Sequence, residues 1–433
     1  MSNGFYKNRR LKSLLFLVIC FLVAIIPHSI SIKNFINLPF ILSFFIACYG
    51  LLVISKNKAR SLKVDFFDKK LTDDKLPILD ILVAARDEEN VIARLVERLF
   101  NLDYPSNKLN IYIIDDGSVD KTPLILKRLS KEYEKLKVIS RSPNAGGGKS
   151  GALNYALQFT NGEWVLILDA DAQLKKDTLL RLFDFVVKGS WSAVQLRKSV
   201  LNVGKNFLTT CQAMEMAMDA IFQYGRLSVS GVSELRGNGQ LINKEVLLEC
   251  GSFNEYTVTD DLDLSLRLLF LKAKIGILWD PPVMEEAVEN ISALFRQRQR
   301  WAEGGLQRFF DYGEQIFSKK LEFIQKFDLS YFFILQYALP IISMFDLFLS
   351  LVLFDSPKYW PISATAFTLS GIAFWYGSTC KSEIPVLNDL NALKMLISIL
   401  YLVHWFLVIP WVTVKMSIFP KKILWKKTIH TGI

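Results

Sequence analysis

The run WVLILDADA, Trp164–Ala172, decides the fold. Five apolar residues end abruptly in Asp169-Ala170-Asp171. An uninterrupted apolar run of this length reads as a strand buried on both faces, the habit of parallel sheets sandwiched between helices. Its neighbours repeat the rhythm. ILDILVAA (78–85) gives way to a polar break and the helical pattern NVIARLVERLFNL, and IYIID (111–115) runs into DGSVDKT and a helix ending near Tyr133. LKVISR (136–141) leads through a glycine-rich loop into the helix SGALNYAL. Strands alternating with helices predict an α/β fold with a mostly parallel sheet, whose ligands bind beyond the carboxyl ends of the strands.

Outward from this block the composition changes. Of 433 residues, 51% are hydrophobic, and the excess sits at the two ends. Runs 12–30 and 37–55, then 330–354, 359–379 and 395–418, approach the ~20 residues that cross a ~30 Å hydrocarbon core. The expected organisation is a two-span anchor (1–56), an α/β catalytic domain (57–289), amphipathic interface helices (290–328) and a C-terminal membrane bundle with a basic tail (329–433). The formal charge of +10 does not point to nucleic acid, because Lys and Arg flank the apolar runs. Lys7, Arg9, Arg10 and Lys12 precede the first, and Lys56, Lys58, Arg60 and Lys63 follow the second. Such clusters mark the cytoplasmic side and favour anionic headgroups, so the central block is expected in the cytoplasm of a multi-pass membrane protein. The C-terminal runs conflict with that bias, because three further spans would place Lys421, Lys422, Lys426 and Lys427 outside. One of these runs is therefore expected to lie in the interface or to re-enter.

The three histidines, His28, His404 and His430, lie in or beside the apolar ends, which excludes histidine-based nucleophilic catalysis and histidine-ligated metal in the central block. No CxxC spacing occurs among the five cysteines, which argues against a zinc cluster. Chemistry there must use carboxylates, Lys, Arg and hard metal ions.

Asp169 and Asp171 close a buried strand, where two carboxylates repel unless a cation joins them; Mg²⁺, or Mn²⁺, held with substrate phosphate oxygens fits that donor set. Asp115-Asp116-Gly117-Ser118 is an Asx-type turn at a strand end, and Asp116 can also accept from a base or ribose. Gly146-Gly147-Gly148-Lys149 lacks P-loop spacing, yet Lys149 opens a helix where phosphate or carboxylate can be met. Thr259-Asp260-Asp261-Leu262-Asp263 sets three carboxylates at a helix start. Capping accounts for one or two, and another can act as general base. Gln297, Arg300 and Trp301 share one face of a basic, aromatic helix from about Ile291 to Tyr312, which reads equally as a surface helix on the membrane. Met214, Met216 and Met218, with Phe222, read as helix core or as an acyl-chain entrance. Asp346 and His404, inside apolar runs, read as packing or interfacial residues rather than a transport path.

The order DDGS, Lys loop, DAD, TDD and QxxRW between membrane spans resembles the membrane-bound family-2 glycosyltransferases of GT-A fold, over roughly residues 75–315. The resemblance implies an inverting transfer from a UDP-sugar. Asp116 would bind the uracil, Asp171, assisted by Asp169, the metal, and Asp261 would be the base. Lys149, Asp169 and Asp260 would contact substrate, with Gln297, Arg300 and Trp301 at the acceptor and pyrophosphate. Asp260 stands where the family usually has Glu. Longer strings, among them AGGGKSGALN, ELRGNGQ and RQRQRWAEGG, resemble the branch that moves glucose from UDP-glucose to diacylglycerol. A processive polysaccharide synthase shares the same motifs. A membrane scaffold or transporter with a degenerate sugar-nucleotide domain would not need them intact.

Overall fold

The computed structural model describes residues 8–29, 37–56, 73–379, 392–419 and Gly432. Lys7, Lys58, Arg60, Lys63, Cys380, the basic tail from Lys421 to Lys427 and His430 lie outside the described residues. The chain divides into two compact units. Met1–Arg60, Ala217–Val232 and Asn290–Lys422 form a helical unit; Ser61–Met216, Ser233–Glu289 and Ile423–Ile433 form a sheet unit.

The helical unit opens with α1 (Arg9–Ser29) and α2 (Asn37–Ser55). In the sheet unit the succession is β1 (Leu79–Ala85), α3 (Ile92–Phe100), β2 (Leu109–Asp116), α4 (Thr122–Glu132), β3 (Leu136–Arg141), α5 (Gly148–Leu157), β4 (Trp164–Leu168), α6 (Thr178–Gly189) and β5 (Ala193–Val200). Then come α7 (Phe207–Ser230), whose residues from Ala217 onward belong to the helical unit, β6 (Gln240–Asn243), α8 (Lys244–Glu249), α9 (Asp260–Phe270) and β7 (Ile275–Glu285). The seven strands lie in the order β3-β2-β1-β4-β6-β5-β7. All pairings are parallel except those of β6, which runs against both β4 and β5.

Strand periodicity explains the three layers. Ile81, Val83, Ile111, Ile113, Leu166 and Leu168 join α3, α4 and α6 in one core. Their alternates Leu82, Ala84, Tyr112, Ile114, Val165 and Ile167 join α5, α8 and α9 in the other. Successive side chains point to opposite faces, so a strand covered on both sides must be apolar at every position.

The helical unit continues with α10 (Ile291–Phe317), α11 (Phe323–Phe333), a π-helical stretch Ile334–Ala338, α12 (Leu339–Leu353), α13 (Trp360–Thr379), α14 (Ala392–Tyr401) and α15 (His404–Ile418). Four stretches among the described residues are long and apolar enough to cross a bilayer: Arg9–Ser29, Leu38–Ser55, Phe323–Leu353 and Leu393–Ile418. The run 359–379 becomes α13 but is not one of them. Its hydroxyls bond back along the helix, as Thr365, Thr368 and Ser370 do to Pro361, Ala364 and Ala366. Asp346 is a packing residue: it accepts from the backbone N–H groups of Lys358 and Tyr359 and sits 2.8 Å from His28 Nε2.

Within this unit Asp328, 0% exposed, accepts from Arg226 Nε at 2.8 Å and from the Tyr49 hydroxyl at 2.8 Å. The Arg226 guanidinium also lies over the Phe332 ring, 4.3 Å from its centre. Removing one partner of such a pair leaves a buried charge uncompensated, at a cost of about 3–5 kcal/mol. Asp328→Ala should therefore lower the melting temperature of the detergent-solubilised protein sharply. Asp328→Leu combined with Arg226→Met should recover much of that loss. A melting curve unmoved by Asp328→Ala would show that the pair does not hold α2, α7 and α11 together.

Candidate active site

The polar residues of the sheet unit collect beyond the carboxyl ends of β1, β2 and β4. Two loops are stitched there. The backbone N–H groups of Asp87, Glu88 and Glu89 donate to the side chains of Ser118, Thr122 and Asp120. In return Asp87 and Glu89 accept from the N–H groups of Val119 and Lys121. Asp115 caps its own turn by accepting from Ser118 N at 3.0 Å. That leaves Asp116 to face inward, where it is paired with Arg141. Burial raises the Asp116 carboxyl above its ordinary value, against the lowering pull of Arg141 and Arg86.

Arg141 also donates to the carbonyl of Gly146 at 2.8 Å, tying this strand end to the glycine loop. Gly146, Gly147 and Gly148 all have positive φ, from 56° to 75°. At Gly147 space makes the same demand, because a Cβ would come within 2.8 Å of the Gly151 Cα. The loop ends by presenting Lys149 to Asp169, with Nζ 2.6 Å from Oδ1. Burial works against the charged ammonium, but Asp169, Asp260 and Asp261 outweigh it and raise Lys149 above its ordinary value. Lys149 is a permanent cation among these carboxylates.

The DAD turn does not unite its two acids. Asp169 turns to Lys149, while Asp171, buried, accepts from Glu286 N at 2.8 Å through Oδ2. Among the described residues no three His, Cys, Asp or Glu side chains converge on one point. Two carboxylates, both hard donors, with a lysine beside them fit a divalent cation that takes its remaining ligands from a substrate's phosphates.

The acidic cluster of α9 also divides by task. Asp263 is structural, accepting from Asn254 at 2.8 Å and from Arg267 at 2.7 Å. Arg267 in turn ties the carbonyls of Cys250 and Ser252. Asp260 and Asp261 face the site, and Asp260 Oδ2 is enclosed with no hydrogen-bond partner among the described residues. Asp261 is raised to about 6 by burial and by the neighbouring Asp260, against the N–H of Leu262, Arg236 and Lys149.

Its pH consequence has a definite sign. A base must be ionised to work, so kcat/KM should fall about tenfold per pH unit below about 6 and level off above it. A bound cation would move that limb to lower pH. A pH–rate profile flat down to about pH 3, below the ordinary aspartate value of about 3.9, would remove Asp261 from the role of base.

In the helical unit, Gln297, Arg300 and Trp301 lie half-buried on α10. Arg298, which the motif spacing does not single out, contacts two of these residues. It is 1% exposed, donates to Gln297 Oε1 at 3.0 Å and to the Tyr401 hydroxyl at 3.3 Å, and lies 4.1 Å over the Trp301 ring.

Residues 77–304 match the model of the glycosyltransferase-like family 2. The chain belongs to this family. Among its relatives, the β-monoglucosyldiacylglycerol synthase of Nostoc sp. is 42% identical over 82% of this chain and 77% of its own length. The synthase of that name from Synechocystis sp. is 41% identical over 82% of this chain and 75% of its own. The mannosyltransferase of Pyrobaculum calidifontis, solved with GDP-mannose and Mn²⁺, superposes with a TM-score of 0.57 at 17% identity, covering 89% of this chain and 100% of that one. That likeness shows the GT-A fold. In this family-2 glycosyltransferase the acids of β2, β4 and α9 gather beyond the carboxyl ends of the strands, where mostly parallel sheets dock their ligands.

Proposed function

We propose that the chain transfers glucose from UDP-glucose to the 3-hydroxyl of 1,2-diacylglycerol, with inversion, giving β-monoglucosyldiacylglycerol. The observation carrying this reading is the 42% identity to a synthase of that name over 82% of the chain, joined to an intact set of Asp116, Lys149, Asp169, Asp171 and Asp261.

Asp116 and its partner Arg141 are assigned to the uracil. Asp171 and Asp169 would hold Mg²⁺ or Mn²⁺, which when bound neutralises charge on the diphosphate. Lys149, between Asp169 and the α9 acids, lies where it can stabilise negative charge arising on departing UDP. Asp261 takes the proton of the acceptor hydroxyl as that oxygen bonds to the anomeric carbon. The bond from that carbon to the UDP oxygen breaks on the opposite face, so one displacement inverts the configuration. Asp260, whose Oδ2 has no hydrogen-bond partner among the described residues, is assigned to the substrate. On the motif match alone, Gln297, Arg300 and Trp301 are assigned to the acceptor and the pyrophosphate.

Four candidate crossing stretches among the described residues would return the chain to its starting side, which, with the bias of Lys and Arg at the apolar ends, supports a cytoplasmic placement of the catalytic block. The membrane supplies the acceptor. To test the reading, membranes holding the protein are incubated with radiolabelled UDP-glucose, a divalent cation and diacylglycerol. A chloroform-soluble product of single-hexose size is expected. Label in an ethanol-insoluble, high-mass fraction would make the chain a polysaccharide synthase instead.

A further inference from the structure

The DAD turn is held from two sides by residues to which no role has been assigned. Asn238, 0% exposed, lies in the loop before β6 between two glycines in left-handed conformation, Gly237 at φ 84° and Gly239 at φ 73°. Its Oδ1 accepts from Asp169 N at 3.1 Å, and its Nδ2 donates to Glu285 Oε2 at 3.2 Å. Glu285 Oε1 is paired with Lys198 Nζ at 2.7 Å. The next residue, Glu286, gives its own N–H to Asp171. The dipeptide Glu285-Glu286 thus fixes both aspartates, one directly and one through Asn238.

The same loop reaches the base. A Cβ on Gly237 would stand 3.4 Å from Asp261 Oδ2, so the backbone beside Asn238 runs along that carboxylate. Gly239 admits no side chain, since a Cβ would come within 2.7 Å of Val283. Its N–H bonds to the Ile167 carbonyl, and its carbonyl accepts from Leu196 N. Gln195 completes the frame, donating to the Asn238 carbonyl at 2.7 Å and accepting from Arg236 N at 2.7 Å. The Asn238 N–H reaches the Arg236 carbonyl at 3.1 Å. Every polar atom of Asn238 is therefore engaged, and a buried network so fully satisfied is rigid and specific.

We propose that Asn238 is a positioning residue that registers the donor-side turn at Asp169 against the base Asp261, with Glu285 fixing the orientation of its amide. The proposal rests on the roles given above to Asp169 and Asp261. A carboxamide is required because one end must accept from a backbone N–H while the other donates to a carboxylate. The substitution Asn238→Asp would keep the first bond but confront Glu285 with like charge. Adding Glu285→Gln would repair the pair, its amide nitrogen donating to the introduced carboxylate while its oxygen still accepts from Lys198.

The experiment compares wild type, Asn238→Ala, Asn238→Asp, Glu285→Gln and the double variant Asn238→Asp/Glu285→Gln as full-length protein in membranes. It reads kcat, the KM for UDP-glucose and the melting temperature. Misplacing reacting groups by about 1 Å costs about 10²-fold, so Asn238→Ala and Asn238→Asp should each lose about 10²-fold in kcat with KM within about threefold of wild type. The double variant should regain kcat to within about tenfold of wild type, a rescue that a merely structural asparagine would not give in kcat alone. A double variant no more active than Asn238→Asp would overturn the proposal, as would a loss tracking melting temperature across the set. Absence of transfer by wild type would instead overturn the reading on which it rests.

Discussion

Asparagine in place of Asp261 is expected to lower turnover by about 10²–10⁴-fold, the usual worth of a general base, while UDP-glucose still binds. The substitution keeps the shape of the side chain and removes only its ability to take a proton. It should also stabilise the protein. Asp261 is raised to about 6, above the value of an aspartate in the unfolded chain, so the folded state holds that proton more tightly. The stability from this group is complete below the unfolded value and is lost as pH rises through about 6. At neutral pH the ionised, half-buried carboxylate beside Asp260 is therefore unfavourable, and asparagine relieves it. Thermal melting at about pH 7.5, well above that titration, together with initial rates separates the outcomes. Activity lost with melting temperature raised is the expected pair. Near-normal turnover by Asp261→Asn would remove it as the base.

Asp171→Asn and metal removal form the second large effect. Asparagine can still accept the N–H of Glu286 through its oxygen, so the turn is retained and only the charge is lost. Lewis-acid stabilisation of a departing diphosphate is worth several kcal/mol, which at about 1.4 kcal/mol per tenfold means at least about 10²-fold in rate. Chelation of wild type should therefore stop transfer, and Mg²⁺ or Mn²⁺ should restore it. Asp171→Asn should show little response to added cation. Undiminished transfer in excess chelator would show that Lys149 alone manages the charge.

Much of the architecture was legible because its cause is simple. Strands β1 and β4 lie between two helical layers, so nearly every residue must be apolar, and such runs are conspicuous. Strand β5 is hidden for the opposite reason. Arg197 and Lys198 lie within it, and the structure satisfies them with the Trp279 carbonyl and Glu285, partners distant in the chain. The short antiparallel β6 is equally silent, since four residues carry no usable period. At the site, carboxylates clustered at strand ends announce themselves, because like charges placed together demand a cation. What the cluster could not show is how it is shared out: Asp263 belongs to the frame of α9, and Asp169 and Asp171 turn to different partners. Asn238 and Arg298 were invisible for a further reason. An asparagine between glycines reads as an ordinary turn, and an arginine in a basic helix as a solvated one, until their partners across the fold are known.

A single displacement onto a lipid hydroxyl leaves its record in the anomeric configuration of the product. Purified protein in vesicles containing diacylglycerol is supplied with UDP-glucose, whose sugar is α-linked. The lipid product is then isolated and its anomeric proton coupling measured by NMR. One glucose, β-linked to the 3-hydroxyl of glycerol, is the expected product. An α-linked product would mean retention, and would contradict a mechanism in which Asp261 acts as base for one inverting attack.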